Sequence, residues 1–238
     1  MALSDNLVAY YKLDESSGDA TDATGNGWTL TNTSVTYSST APNILNNYGV
    51  FNGGSSKLTT ASTGYNLSGD FSISLWMYST DMTTYPWIFH DWDNNKNNIF
   101  YIIYDNGGGT GKMNYYRGNG GTSYDGGSLG GAFATTLNVN TWYHLVITQS
   151  GTTAKFYVNN ASPETNTMGY SGGATNTYNH FGGYTSDWLA GRLDEIGVWS
   201  RAITATEVSD LYNGGAGLAY PFAGAAVFRR KALLGVGQ

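Results

Sequence analysis

The chain of 238 residues has no cysteine. That excludes a disulfide framework, a thiolate metal site and a cysteine nucleophile, and leaves packing alone to hold the fold. Charged residues make up only 12% of the sequence. No apolar run approaches the ~20 residues that a membrane-spanning helix needs, so no membrane span is expected. The opening residues Met1-Ala2-Leu3-Ser4-Asp5 lack the basic stretch and apolar run of a secretory signal. Either a leader was removed or the chain is made and folded in the cytoplasm, and the starting Met favours the second expectation. Cations are few, and three of the 11 Lys and Arg are adjacent at Arg229, Arg230 and Lys231, leaving eight basic against 17 acidic side chains before them. So acidic a body argues against nucleic acid, which is bound by clustered cations that neutralise phosphates.

What is abundant is glycine, 33 residues, and aromatics, with 19 Tyr and 7 Trp. Gly, Asn, Thr and Ser separate short aromatic and β-branched runs, the composition of strands joined by turns. Helical periodicity is nearly confined to one turn near the C-terminus. In Phe71-Ser72-Ile73-Ser74-Leu75-Trp76-Met77 the apolar Phe71, Ile73, Leu75 and Met77 share one face, and Trp76 and Tyr78 on the other face suggest a second layer. Trp142–Thr148, the turn at Gln149–Thr153 and Ala154–Val158 read as a β-hairpin. Length suits one large all-β sandwich.

The stretch Leu189–Val208 reads as a strand through Trp199 followed by a capped helix. Thr204 and Glu207 form a capping box, and Gly214-Gly215 ends the helix. Together with Leu7–Glu15, Asp22, Gly25-Asn26-Gly27, Gly49–Gly53, Phe71–Met77 and Trp142–Thr148, this stretch resembles the laminin-G-like, concanavalin-A-like lectin and glucanase jelly-roll family. The resemblance runs from about Leu7 to Gly215. It implies a sandwich of two antiparallel sheets with one short C-terminal helix over residues 1–216, and leaves 217–238 as an extended tail. It does not specify a function, since this fold carries lectins, accessory modules, adhesion domains and viral surface proteins.

Enzymatic signals fail on inspection. The glycosidases of the family resemble one another in alternating strand carboxylates that face one cleft, and no such motif occurs here. Asp194 and Glu195 are adjacent, so on a regular strand they face opposite sides. Gly169–Gly173 matches a hydrolase serine pattern in letters without its strand-to-helix setting. Gly107–Lys112 resembles a phosphate loop with required positions missing. His90, His144 and His180 are far apart in sequence, and His144 within a strand reads as structural. No catalytic residue is assigned.

Two binding chemistries are expected. By resemblance, a structural calcium ion would lie near Asp14, Asp22 and Asp194; the alternative is that Asp22 makes an Asx turn and Asp194 bonds to backbone. Asp91–Asn97 is a weaker calcium loop, lacking the glycine bend. Sugar binding needs exposed aromatic faces beside amides and carboxylates. Two segments offer them: Tyr85, Trp87, Trp92, Asp93 and Asn95 in the first, Tyr178 through Tyr184 to Trp188 in the second. The alternative use of these rings is to fill the core.

The tail departs from the family. Phe222, Val227, Phe228, Leu233 and Leu234, with Arg229, Arg230 and Lys231, are read as an assembly element lying outside the sandwich and docking on a second copy or on other virion proteins. The expectation from these features is a non-enzymatic structural protein of a virus surface, such as a phage capsid decoration, head-fibre or tail-associated subunit, binding cell-surface glycans weakly. The alternative is a lectin or adhesion module that is extracellular or at a cell surface. A glycoside hydrolase ranks last.

Overall fold

The computed structural model describes residues 1–60, 64–83, 86–91, 98–104, 110–118, 124–125, 132–169 and 178–223. The strands follow in chain order. The first six are β1 (Leu7–Tyr11), β2 (Leu30–Thr33), β3 (Thr36–Ser38), β4 (Tyr48–Asn52), β5 (Lys57–Thr60) and β6 (Phe71–Ser79). Next come β7 (Trp87–His90), β8 (Asn98–Tyr104), β9 (Thr110–Gly118), β10 (Tyr124–Asp125), β11 (Ala132–Asn138) and β12 (Trp142–Ser150). The last are β13 (Thr153–Val158), β14 (Glu164–Thr167), β15 (His180–Phe181), β16 (Gly183–Tyr184), β17 (Asp187–Trp188) and β18 (Ala190–Trp199), followed by helix α1 (Ala205–Tyr212).

Sheet I has the order β14-β13-β12-β6-β18-β4-β3, and β1 also pairs with β18. Sheet II has the order β10-β9-β8-β7-β15-β5-β2, and β11 also pairs with β9. The central pairings of both are antiparallel. This is the expected all-β jelly-roll architecture, and the expected hairpin is β12–β13, with Ser150 opposite Thr153 across the turn.

The period-2 pattern decides what lies between the sheets. Leu75 and Ile73 of β6 stand opposite Leu145 and Ile147 of β12, and all four enter one core with Leu58, Met113, Phe133 and Phe181 from sheet II. Each such side chain contributes roughly 1.5–3 kcal/mol when fully buried.

The other face of sheet I is also covered. Tyr10, Val146, Tyr157 and Trp199 point outward and form a second cluster with Ile203, Val208 and Leu211 from the helix segment. Trp76 stacks on Tyr212, with ring centroids 5.7 Å apart. Helix α1 starts at the expected capping box, in which Thr204 and Glu207 each bond the other's backbone N–H. Its end differs from expectation. Asn213 takes the left-handed conformation, φ 48°, and donates its N–H to the Ser209 carbonyl, so the stop comes one residue before the glycine pair. Arg201 fastens this layer: its guanidinium makes two bonds of 2.7 and 2.9 Å to Glu207 and others to the Asp5 and Ala2 carbonyls.

The boundary at residue 216 needs correction. Leu218 and Tyr220 pack against the second cluster and Phe222 is buried in it, its ring edge-on to Tyr10 at 5.3 Å. Residues 217–223 therefore belong to the sandwich, because Tyr10 and Trp199 present an apolar surface that helix α1 does not cover alone. Val227, Phe228, Arg229, Arg230, Lys231, Leu233 and Leu234 lie outside the described residues.

Candidate functional site

On the outer face of sheet II the chain builds a row of rings. Strand β7 reads Trp87-Ile88-Phe89-His90. Its pairing with β8 shifts between Trp87 and Phe89, so Ile88 is an extra residue, and Ile88 and Phe89 both turn into the core. Trp87 and His90 are left on the outer face, stacked with centroids 4.7 Å apart and planes 24° from parallel. In β15 Phe181 enters the core and His180 faces out. His180 pairs directly with His90 across the strands, and their rings are 5.3 Å apart. On its other side His180 Nδ1 lies 2.9 Å from Thr59 Oγ1 of β5. Tyr178 continues the row 6.3 Å from His180, and at 45% exposure it presents its ring to solvent.

The two imidazoles are uncharged at neutral pH. Burial pushes His180 down to about 4, and the nearby Lys57 charge adds to this. Burial, His180 and Lys57 hold His90 well below the usual range. A neutral imidazole has one donor and one acceptor nitrogen, which suits hydroxyl groups.

The hairpin β16–β17 sits beside β7. Gly182 donates its N–H to the Ile88 carbonyl and accepts from Leu189 N–H. It has φ +90°, and a Cβ there would stand 2.1 Å from the Phe51 ring, so the strand can leave sheet II at this point only as glycine. Gly183 gives the same close approach to Trp188, which is half-buried. Two segments about 90 residues apart in sequence thus meet at one end of one face, bringing Trp87 together with the hairpin that carries Tyr184 and Trp188. Tyr85, Trp92, Asp93 and Asn95 lie outside the described residues, as does most of Asp91–Asn97. Sequence reasoning did not find Lys57 and Thr59, nor the pairing of His90 with His180. Outward polar positions flanking apolar ones were the available signal, but strand order was not.

The expected calcium ligands are not gathered into one set. Asp22 accepts from the backbone N–H groups of Tyr10, Thr24 and Trp28, the Asx-type arrangement weighed as its alternative. Asp14 is bonded by Asn46 and Asn47, and Asp194 by the N–H groups of Leu45 and Glu195. Among the described residues no three His, Asp or Glu side chains form a group that could hold a metal ion. Each carboxylate is thus bonded within its own neighbourhood, Asp14 by one side-chain amide and one backbone N–H and the other two by backbone N–H groups.

Asp194 and Glu195 overturn the opposite-face expectation. The register of β18 on β6 shifts between Asp194 and Gly197, and Glu195 takes φ 48°. This bulge returns Ile196 to the core and turns Glu195 onto the same outer face as Asp194. There Glu195 accepts a 2.5 Å bond from Tyr10 Oη, which also lies 3.2 Å from the Leu218 carbonyl. Its other oxygen, Oε1, is buried without a partner. Burial and mutual repulsion push Asp194 up to about 9, and burial pushes Glu195 up to about 7. With 0% and 4% exposure, neither carboxyl is open to a saccharide.

Comparison with known proteins places this geometry. The sequence pattern described as Concanavalin A-like lectin/glucanases superfamily matches residues 52–209. A search of curated proteins found no match. Among solved structures the chain is similar to domain 4 of AbnA, a GH43 extracellular arabinanase from Geobacillus stearothermophilus, in complex with arabinotriose. The TM-score is 0.67 at 19% identity, over 86% of this chain and 97% of that one. It is also similar to the binding domain of Paraclostridial Mosquitocidal Protein 1, with a TM-score of 0.70, 19% identity and coverage of 90% and 53%. The botulinum neurotoxin serotype D binding domain gives a TM-score of 0.64 at 14% identity, over 88% and 52%. The chain therefore spans about half the length of these toxin binding domains. At such identities the likeness is one of fold.

Proposed function

The chain belongs to the concanavalin A-like lectin/glucanases superfamily, and we propose that within it this protein is a non-catalytic carbohydrate-binding module that reads a glycan on the outer face of sheet II. The observation that carries this reading is the row Trp87, His90, His180 and Tyr178, flanked by Thr59 and Lys57. The half-exposed Trp87 and exposed Tyr178 offer faces to the apolar side of a pyranose or furanose ring. Lys57 and the Thr59 hydroxyl, both partly exposed, can exchange hydrogen bonds with sugar hydroxyls, while the buried His90 and His180 rings support the row from beneath. An arabinotriose-bound domain among the structural neighbours supports the same reading.

A glycan array that includes arabino-oligosaccharides, followed by calorimetry on the best ligand, tests it. Trp87→Ala and Tyr178→Ala are each expected to weaken binding about ten-fold, the value of an aromatic contact of 1–1.5 kcal/mol. Absence of any glycan ligand, or binding unaffected by both changes, refutes the reading.

A second reading, display on the surface of a virus particle through residues 227–234, is favoured by the docking of Tyr220 and Phe222 on sheet I. It gives the apolar and basic run that follows a fixed point of departure. Homo-oligomers or other virion proteins would be its partners. Because Phe222 is buried, the informative truncation ends at Ala223. A discrete oligomer of the full chain that becomes a folded monomer on this truncation supports assembly, and identical monomers refute self-association through the tail.

A further inference from the structure

A second binding site is carried by the opposite side of the molecule. Between the β12–β13 hairpin and the start of helix α1, the outer face of sheet I opens into a groove of about 500 Å³. Its floor is set by strand alternation: Thr148 stands opposite Lys155, and Ser150 opposite Thr153, while Ala154 and Phe156 turn into the core. Tyr157 closes the floor, and Ile203, Thr204 and Ala205 form the wall.

Donors converge here without acceptors. Thr148 and Tyr157 are each only 4% exposed and both line the groove, and among the described residues neither hydroxyl has a hydrogen-bond partner, so what remains open of each side chain faces the groove. Both hydroxyls are therefore free to turn toward a ligand seated in the groove. Lys155 is exposed and has no hydrogen-bond or ion-pair partner among the described residues. From the wall, the first-turn N–H groups of Ala205 and Thr206 have no intrahelical acceptor, and the helix dipole adds partial positive charge. Of the carboxylates bonded to groove residues, Glu207 is paired with a cation, Arg201, through two bonds, and Asp70 is held at the far end of the groove by neutral donors, Ser150 Oγ and Gly151 N–H.

From this convergence we propose that the groove holds the oxyanion substituent of an acidic glycan, a carboxylate or a sulfate ester, with Lys155 and the Thr148 and Tyr157 hydroxyls as donors and the helix α1 N-terminus at its wall. The site is separate from the aromatic row on sheet II, so either can fail without the other.

The test is a ¹⁵N-resolved NMR titration of the full chain with galacturonic acid, galactose 6-sulfate and galactose at equal ionic strength. The acidic sugars are expected to shift the amides of Thr148, Lys155, Ala205 and Thr206. Galactose should leave those amides in place, and whichever acidic sugar acts at lower concentration identifies the source of the oxyanion. Lys155→Glu, at an exposed position, should weaken the shifts by ten-fold or more, and Thr148→Val should weaken them while keeping the side-chain shape. Equal shifts from galactose, silence with both acidic sugars, or titration unchanged in Lys155→Glu would each overturn the proposal. Shifts confined to residues 57–59, 87–90 and 178–181 would overturn it too, while supporting the sheet II face.

Discussion

Replacing Asp194 by Asn should stabilise the protein by about 4 kcal/mol at pH 7 and by about 2 kcal/mol more at pH 9. In the unfolded chain the Asp194 carboxyl has a pKa of ~3.9 and carries no proton above pH 7. In the folded protein its pKa of about 9 means that it holds one at pH 7 and about half of one at pH 9. The native state binds more protons, so stability falls as pH rises, by about 2 kcal/mol between pH 7 and 9 for one such group. Glu195, at about 7, adds a few tenths of a kcal/mol in that window. Histidines act with the opposite sign. With folded values of about 3 for His144 and about 4 for His180, their contribution is present above ~6.5 and is lost only as pH falls below it. Buried tyrosines such as Tyr10 and Tyr11 are raised above their ordinary value and do not titrate below pH 9. An Asn at position 194 can still accept the Glu195 N–H bond of 2.9 Å and mimics the protonated acid. Urea denaturation followed by tryptophan fluorescence at pH 7, 8 and 9 and fixed ionic strength is the assay. Expected is a native midpoint that drops with pH and a variant midpoint that stays nearly level above it, the gap widening by ~2 kcal/mol between pH 7 and pH 9. A flat native profile, with the variant offset by the same amount at each pH, would refute the argument that the bulge buries a protonated carboxyl.

Other outcomes follow from the packing. Arg201→Leu should cost about 3–5 kcal/mol, because Glu207 would keep a buried charge without its cation; thermal melting checks this, and Glu207→Gln in the same background should recover part of the loss. Phe222→Ala should cost about 2–4 kcal/mol by opening the second cluster, whereas a chain ending at Ala223 should melt with the full-length protein. Gly182→Ala should destabilise by more than 2 kcal/mol, since the added Cβ meets the Phe51 ring and φ is positive; a soluble variant with native melting would count against the strand exit described for β15. Glycan affinity on sheet II should be level from pH 6 to 8, because both imidazoles are already neutral there, and a fall across that range would contradict their lowered pKa values.

Alternation and capping are local, and for that reason they were legible. Phe71 to Met77 faces the core as its pattern says, and Thr204 and Glu207 form their box because both partners lie within one turn. What was not legible depends on strand order or on one inserted residue. The bulge at Glu195 reverses a side-chain direction that strict alternation dictates, and nothing in Asp194-Glu195-Ile196-Gly197 announces it except the glycine, whose Cβ would meet the Trp199 ring. His90 and His180 become neighbours only through the β7–β15 pairing. The two aromatic segments were both picked out, but their meeting is a property of topology. Phe222 reads in sequence as part of an external anchor because its segment carries no strand or helix pattern, while its partners Tyr10 and Trp199 come from distant strands.

Leu3 from the N-terminal segment and Phe222 from the C-terminal one are buried in the same cluster behind sheet I. Entry and exit of the chain therefore share one side of the sandwich, and the Trp87–His180 row points the other way. The face proposed for glycan binding is thus left clear of both the Leu3 and the Phe222 segments.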